Sequence, residues 1–366
     1  MPARRFRCNA GVIFLCLLWY LLSASGNVLN KLILQEFPFP LTLATSSIVT
    51  TSISSIPLGK RVAAADRRRQ TVLSFQKFFT MIIPLALGKL VAVSMSFLCL
   101  YKVPVSYAHT VKAMMPLFSV ICARLIVGEK QTTMVYLSLL PIVTGVVIAS
   151  CSEMSFNFVG LISALCSTFS YALINSYVKK VMRDTGLHHV YLLGRIAQTT
   201  CLLIFPIWIF HDVLNFAKVD LKLSWVTLSG GVLLSGFLNF AQNVCTFSLI
   251  SRLSVLSYAV ANVTKRITVI SVSLLTLKNP VTFINVCGML TAVFGVLGYT
   301  QANSIAQRRK SLPYVYDVAA ARPLVSVDSW PSDANLALQV PPSTRELLIN
   351  QVRPAAAFLN ESSCRH

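Results

Sequence analysis

Repeated windows of about 20 apolar residues constrain this chain more than any other feature of its sequence. A window of that length crosses the hydrocarbon core of a bilayer as an α-helix, since each residue adds about 1.5 Å of rise. Hydrophobic residues make up 55% of the chain, charged residues only 12%, and the mean hydropathy is +0.68. A soluble domain carries about twice that charge. The sequence therefore predicts an all-α membrane protein.

The apolar windows predict about ten transmembrane helices, of which the second is the weakest because it is rich in Ser and Thr. The predicted spans cover residues 11–34, 39–58, 78–101, 105–127, 132–151, 156–178, 188–210, 224–250, 255–277 and 282–301. A cleaved signal peptide is the alternative for residues 1–25. The apolar run continues to Leu34 with no cleavage site before a polar sequence, so we favour a retained first span.

The placement of basic residues predicts the orientation in the membrane. The net charge of +20 would suggest a nucleic-acid partner in a soluble protein. However, the N-terminal arginines, the run Arg67-Arg68-Arg69 and the run Arg308-Arg309-Lys310 all fall on one side of a ten-span arrangement. Loops rich in Lys and Arg remain in the cytosol. We therefore expect both termini in the cytosol and no nucleic-acid partner.

The sequence also contains an internal repeat. Ser106-Tyr107-Ala108 recurs as Ser257-Tyr258-Ala259, and Gly145 recurs as Gly295, about 150 residues later. Five spans in each copy would invert the second copy relative to the first, with substrate bound at the repeat interface near the midplane. The predicted segments are a cytosolic N-terminal segment at 1–10, five-helix repeats at 11–151 and 152–301, and a Pro-rich, disordered cytosolic tail at 302–366.

Two adjacent cations, Lys265 and Arg266, lie near the middle of the ninth predicted span. Each costs about 2.5–3.5 kcal/mol at that depth on insertion scales. The nearby sequence offers no Asp or Glu to pair with them, and the equivalent positions in the first copy are Met114 and Met115. Such residues mark a site or pathway for an anion.

Further polar side chains fall within the spans. His109 and Lys112 share a helix face at i, i+3, and Asn262 precedes Lys265 at the same spacing. Cations, amides and a phenol together suit a phosphate-bearing ligand. The candidate substrate-binding residues are Lys265, Arg266, Lys112, Lys89, His109, Arg124, Asn262, Gln242, Asn243 and Tyr258. Other roles are open for some: Arg124 can reach the cytosolic interface, His109 can be a core imidazole, and the amides can join helices.

The acidic residues constrain the chemistry as much as the basic ones. No Asp or Glu lies deep in a predicted span, which disfavours proton or sodium coupling. An empty site would carry uncompensated positive charge, so we expect an obligate exchanger that reorients only when loaded. The cysteines and histidines have no metal-ligand spacing, and no nucleophile-and-base set is visible. We expect no cofactor, no metal and no enzymatic activity.

The segments VPVSYAHTVKAMMP, NFAQN and SYAVANVTKR resemble the triose-phosphate translocator branch of the drug/metabolite transporter superfamily, which includes solute carrier family 35. The resemblance covers residues 11–301. It implies ten helices in two inverted five-helix repeats and alternating-access exchange of phosphorylated compounds. It also implies a Golgi or other endomembrane location, and a substrate of the sugar phosphate or nucleotide-sugar type.

The resemblance assigns roles to individual residues. It implies that Lys265 and Arg266 clamp phosphate, that His109 is the histidine of the fourth helix, and that Arg124 is a further basic residue. The chain departs from the plastid proteins at Gln242, where they use a tyrosine, and at Lys89, which replaces a histidine. These departures put triose phosphate itself in doubt. A non-transporting membrane scaffold or receptor is the alternative function.

Overall fold

A computed structural model of the chain describes residues 10–65, 76, 78–128, 131–185, 189–218, 224–253 and 255–311. Within these ranges the regular secondary structure is helical, with no strand. The Arg67-Arg68-Arg69 run, residues 1–9 and residues 312–366 of the predicted tail lie outside them. The all-α prediction is therefore confirmed for the described part of the chain.

The helices begin close to the predicted starts, but α2, α6 and α10 continue past the predicted ends at 58, 178 and 301. Residues 302–311, predicted to belong to the disordered tail, are therefore helical. α1 is Ala10–Glu36, α2 is Pro40–Ala65, and α3 is a π-helical turn Phe78–Ile82 continued by Ile83–Lys102. α4 comprises Val105–Val111, a 3₁₀ turn Lys112–Met114, Met115–Cys122 and a π-helical turn Ala123–Val127. α5 comprises Thr133–Leu137 and Leu140–Cys151. α6 is Phe158–Thr185, α7 is His189–His211 with a following 3₁₀ segment Val213–Lys218, and α8 is Trp225–Arg252. α9 is Val255–Leu277, and α10 is Phe283–Ser311, which continues past the predicted end of its span.

Eight of these helices, all except α2 and α8, are long and apolar enough to cross a membrane. α2 is rich in Ser and Thr, and α8 carries glycines, serines and amides, which lowers their mean hydropathy. The chain is therefore an integral, multi-pass membrane protein. The length and composition of the helices alone do not establish the predicted count of ten spans.

Local sequence explains where several helices begin and end. Pro104 has no N–H to continue α3 and starts α4, while Val103 before it takes the extended conformation that a following proline favours. Gly128 follows α4 with a φ of 75°, a left-handed conformation suited to glycine. Ser224 caps α8, because its side chain accepts a hydrogen bond from the backbone N–H of Val226. Lys31 of α1 donates to the carbonyl of Leu100, one of the free carbonyls at the end of α3.

Helices from the first half of the chain pack mainly against helices from the second half. The most extensive contacts join α3 with α6, α2 with α7, and α1 with α8. Smaller contacts join α2 with α8, α1 with α9, α4 with α6, α3 with α7, and α4 with α9. The two halves therefore share one helical body and are not separate domains.

Small residues bring α5 and α10 into backbone contact. A Cβ added to Gly145 would lie 2.3 Å from the backbone nitrogen of Ala292, and one added to Gly288 would lie 2.6 Å from that of Ala149. Gly295 faces Ile142 in the same way. Membrane helices have little hydrophobic drive to associate, so close backbone packing of this kind supplies much of the attraction between them.

This contact predicts a stability difference between two glycines. Gly145→Ala should destabilise the protein by about 1–3 kcal/mol, because the new methyl group meets backbone that cannot yield. Gly298→Ala in α10 is the matched control, since a Cβ there meets nothing within 4 Å. Its stability should stay level or rise slightly, because alanine favours the helix. Thermal unfolding of both variants in detergent checks this; equal midpoints would contradict the proposed packing.

Candidate functional site

A polar cavity of about 290 Å³ lies at the centre of the helical body. It is bounded by α1, α2, α3, α4, α6, α7 and α8, so both halves of the chain form its walls. Its polar lining residues are Asn27, Asn30, Ser47, Thr51, Lys89, Ser96, His109, Lys112, Tyr171, Thr200, Ser235, Asn239, Gln242 and Asn243. Among the described residues that line it there are two lysines and no Asp or Glu. The cavity is therefore suited to an anion.

Lys112 enters the cavity from an irregular turn of α4. Pro116 lies four residues later and has no N–H for the carbonyl of Lys112, which instead accepts from Met115 in a 3₁₀ turn. The Nζ of Lys112 donates to the Oγ of Ser96 on α3, at 2.7 Å. An ammonium group has three donors, so two remain for a ligand.

Lys89 lies on the same face of α3 as Ser96. The two residues are about 10 Å apart along the helix axis, at 1.5 Å of rise per residue. Its Nζ is 5.5 Å from the ring centroid of Tyr171 on α6, within cation–π range. The two lysines of the lining thus occupy different parts of the cavity.

His109 connects the lining to α1 and α9. Asn27 donates through its Nδ2 to the carbonyl of Ser23, so its Oδ1 remains to accept a hydrogen bond. The Nε2 of His109 lies 3.2 Å from that Oδ1, which makes Nε2 the protonated nitrogen. Arg266 on α9 donates through Nη1 to the backbone carbonyl of His109 at 3.4 Å. Arg266 therefore contacts a residue of the cavity lining, His109, but does not itself line the cavity.

Lys265 lies outside the cavity lining and contacts α1. Its Nζ is 4.4 Å from the ring centroid of Trp19, and Trp19 is stacked on Tyr258 with centroids 5.8 Å apart. Trp19 is almost fully buried, with 1% of its surface exposed. A desolvated cation–π contact of this kind contributes about 2 kcal/mol, so the ring partly stabilises the buried ammonium group.

The structure brings some of the predicted residues together and separates others. Lys89, His109, Lys112, Gln242 and Asn243 line the cavity. The other candidates lie outside its lining: Lys265, Arg266 and Tyr258 at the contacts of α9 described above, Asn262 half-buried on α9, and Arg124 exposed on α4, where Nη1 is 3.5 Å from the hydroxyl of Tyr136.

Sequence reasoning missed several lining residues. Asn27 and Asn30 are spaced i, i+3 in α1, and Asn239 precedes Asn243 by one turn of α8. Amides within otherwise apolar spans were the available signal. Ser96 gives no such signal, since Ser residues occur throughout membrane helices.

Among the residues whose burial is described, the buried carboxylates are Asp212 and Glu153, and both lie at helix ends instead of in the cavity. Asp212 accepts hydrogen bonds from the backbone N–H and the hydroxyl of Thr42, at 2.7 and 2.8 Å, which fixes the start of α2. Glu153, between α5 and α6, accepts from the Nδ2 of Asn285 at 3.1 Å. Burial raises the pKa of Glu153. Neither carboxylate neutralises the lysines of the lining.

Residues 10–300 match the model of the Triose-phosphate Transporter family. The chain is 30% identical over 303 residues to phosphoenolpyruvate/phosphate translocator 1, chloroplastic, of Oryza sativa subsp. japonica, covering 80% of this chain and 72% of that protein.

Two further relatives are similar to it. The chain is 31% identical over 288 residues to the rice phosphoenolpyruvate/phosphate translocator 3, chloroplastic, covering 77% of this chain and 72% of that one. It is 31% identical over 293 residues to the xylulose 5-phosphate/phosphate translocator, chloroplastic, of Arabidopsis thaliana, covering 78% and 69%. The predicted resemblance is thereby confirmed: with its match running from α1 into α10, the chain belongs to the Triose-phosphate Transporter family.

Proposed function

We propose that this protein is an antiporter that exchanges phosphorylated organic anions, of the sugar phosphate or nucleotide-sugar type, across a membrane. The observation that carries the proposal is the central cavity, which is lined by Lys89 and Lys112 and by no described Asp or Glu. The names of the relatives support it, since they describe translocators that couple a phosphorylated compound to phosphate. For the same reason we expect a transporter and not an enzyme.

The phosphate is held by Lys265 and Arg266 together with Lys112. Arg266 lies beside the lining through its hydrogen bond to the carbonyl of His109, and its planar guanidinium suits two phosphate oxygens. Lys265 would leave Trp19 when an anion enters. That change is nearly balanced, because a charge-assisted hydrogen bond contributes about 1.5–3 kcal/mol against about 2 kcal/mol for the cation–π contact.

The proposed architecture is ten spans in two inverted repeats, residues 11–151 and 152–301. The helix contacts between the two halves support it, because they come in equivalent sets when the n-th helix of one half is exchanged for the n-th helix of the other. Under that exchange, the contact of α1 with α8 corresponds to the contact of α6 with α3. The contact of α1 with α9 corresponds to that of α6 with α4, and the contact of α2 with α8 corresponds to that of α7 with α3. The pairs α2 with α7, α4 with α9, and α5 with α10 become themselves. An axis in the membrane plane would produce this pattern.

Such an arrangement allows alternating access, in which one set of contacts opens on each side of the membrane. The distribution of Lys and Arg supports cytosolic termini. The named relatives are chloroplastic proteins, so the Golgi location remains an expectation of the sequence alone. A membrane scaffold or receptor of the same fold is the alternative function.

The exchange should be obligatory. Moving the lysines and Arg266 through a closed state without a counter-charge would leave several buried positive charges unpaired, which is costly in a low-dielectric interior. A bound phosphate monoester supplies the missing negative charge. The loaded protein should therefore reorient much faster than the empty one.

A first test is exchange in proteoliposomes. Wild-type protein should take up labelled phosphate only into vesicles preloaded with phosphate or a phosphorylated compound. Lys265→Met and Arg266→Lys should each weaken transport about 10-fold or more, because each loses at least one charge-assisted hydrogen bond. Lys102→Met, at an exposed lysine near the end of α3, is the control and should transport normally.

Several outcomes would contradict the proposal. Equal uptake into empty and preloaded vesicles would exclude obligate exchange. Absence of phosphate exchange by folded wild-type protein, with a cellular phenotype that survives in the Lys265→Met variant, would favour the scaffold.

A second test separates binding from stability. Lys112→Met removes one of the two lysines that line the cavity, so the ligand-free protein should be as stable as wild type or more stable. The stabilisation that phosphate gives to wild-type protein, about 2.7 kcal/mol at 100 times the dissociation constant, should largely disappear. Thermal unfolding with and without phosphate measures both effects. A variant that is less stable when empty but equally stabilised by phosphate would give Lys112 a structural role instead.

A further inference from the structure

One part of the cavity lining is neutral, whereas the part that α3 and α4 contribute carries the lysines. We call the neutral part the carboxamide wall: it consists of Asn30 of α1 and of Asn239, Gln242 and Asn243 of α8. The three residues of α8 are spaced i, i+3 and i+4, so they form one strip on a single face of that helix. The cations of the lining, Lys89 and Lys112, come from α3 and α4 instead.

Hydrogen bonds fix the orientation of these amides. Asn243 donates through Nδ2 to the Oδ1 of Asn239 at 2.9 Å, and Ser235 donates to the Oδ1 of Asn30. This leaves the Nδ2 donors of Asn30 and Asn239 and the Oδ1 acceptor of Asn243 for a ligand. Gln242 makes no side-chain hydrogen bond to any described residue, so both ends of its amide are available.

The mixture of donors and acceptors indicates what the wall can bind. Phosphate and carboxylate groups only accept hydrogen bonds, so donors alone serve them best, and the lysines already provide these. A sugar hydroxyl both donates and accepts, and each such group needs both kinds of partner when it is buried. The carboxamide wall offers both kinds side by side.

Most of the wall is not needed to join helices. The hydrogen bond between Asn239 and Asn243 lies within α8 and connects it to nothing else. Only the bond between Ser235 and Asn30 crosses to another helix. Amide side chains that line a cavity without joining helices are available to a ligand.

The size of the cavity limits the ligand further. Its volume of about 290 Å³ is equivalent to roughly ten water molecules of ~30 Å³ each, at the lower end of the range for ligand cavities. That space suits a single sugar phosphate and is small for a nucleotide joined to a sugar.

We propose that the carboxamide wall binds the hydroxyl groups of a pentose or hexose phosphate, and that this wall selects such compounds over phosphorylated acids that lack hydroxyls. The inference rests on the proposed antiport function and adds the orientation of the bound ligand. The phosphoryl group lies at the α4 and α9 side of the cavity, near Lys112 and Arg266, and the polyol lies against α8.

The test measures selectivity in proteoliposomes that exchange phosphate for phosphate. Glucose 6-phosphate, 2-deoxyglucose 6-phosphate and phosphoenolpyruvate are each added as competitors of labelled phosphate. Wild-type protein should be inhibited at lower concentrations by glucose 6-phosphate than by the other two. Gln242→Met and Asn243→Leu should raise the half-inhibitory concentration of glucose 6-phosphate about tenfold relative to that of phosphoenolpyruvate. Gln301→Met, at an exposed residue of α10, is the matched control and should keep the wild-type ratio.

The outcomes separate the two proposals. If folded wild-type protein exchanges no phosphate, the antiport function and this inference both fail. If phosphate exchange is present but phosphoenolpyruvate competes as well as glucose 6-phosphate, only the carboxamide-wall inference fails. It fails equally if the variants weaken all three competitors by the same factor, because a purely structural role would do that. Thermal unfolding of each variant beforehand shows that it is folded.

Discussion

Uncompensated positive charge in a low-dielectric interior is the constraint on which the rest of this structure depends. Three cations of the helical body, Lys112, Lys265 and Arg266, contact neutral groups of the described residues. Lys112 donates to the hydroxyl of Ser96, Lys265 lies over the ring of Trp19, and Arg266 donates to a backbone carbonyl of α4. Dipoles and aromatic faces reduce the cost of a buried charge but do not neutralise it. An interior of this kind is suited to an anionic ligand.

The placement of the carboxylates follows the same constraint. Asp212 and Glu153 are buried, yet both are used at helix ends, where they bond to Thr42 and to Asn285. A carboxylate in the cavity would pair with a lysine and compete with any anionic ligand. At the helix ends, the two carboxylates stabilise the helices without reducing the positive charge that the cavity presents to a ligand.

The sequence predicts most of the helices well, because a helix that crosses a bilayer must contain about 20 mainly apolar residues. α2 and α8 are less apolar than the eight candidate spans for a physical reason, because Ser47, Thr51 and Asn239 of these helices line the cavity. The same polar residues that weaken the hydropathy signal form the site. A low-hydropathy span between strong ones is thus itself a signal of a cavity-lining helix.

The candidate site could be predicted only in part. A charged residue in an apolar span is visible in the sequence, which is how Lys89, Lys112 and Lys265 could be selected. Which wall each of them faces depends on the rotation of its helix and on its neighbours in space. Lys265 lies over Trp19, more than two hundred residues away in the chain, and no local pattern predicts that pairing.

The contacts within the body differ in how readily they can change. α5 and α10 touch through backbone at Gly145 and Gly288, where no flexible side chain lies between the helices. The contacts of α9 with α1 and α4 include a cation–π pair and a long hydrogen bond from Arg266, at 3.4 Å. Both involve groups that an anion would attract, and a charge-assisted hydrogen bond to the anion is comparable in free energy to the cation–π contact. In the proposed transport function, ligand binding would therefore act on the contacts of α9 more than on the contact of α5 with α10, because a ligand shifts a conformational equilibrium only through groups with which it interacts differently in the two states.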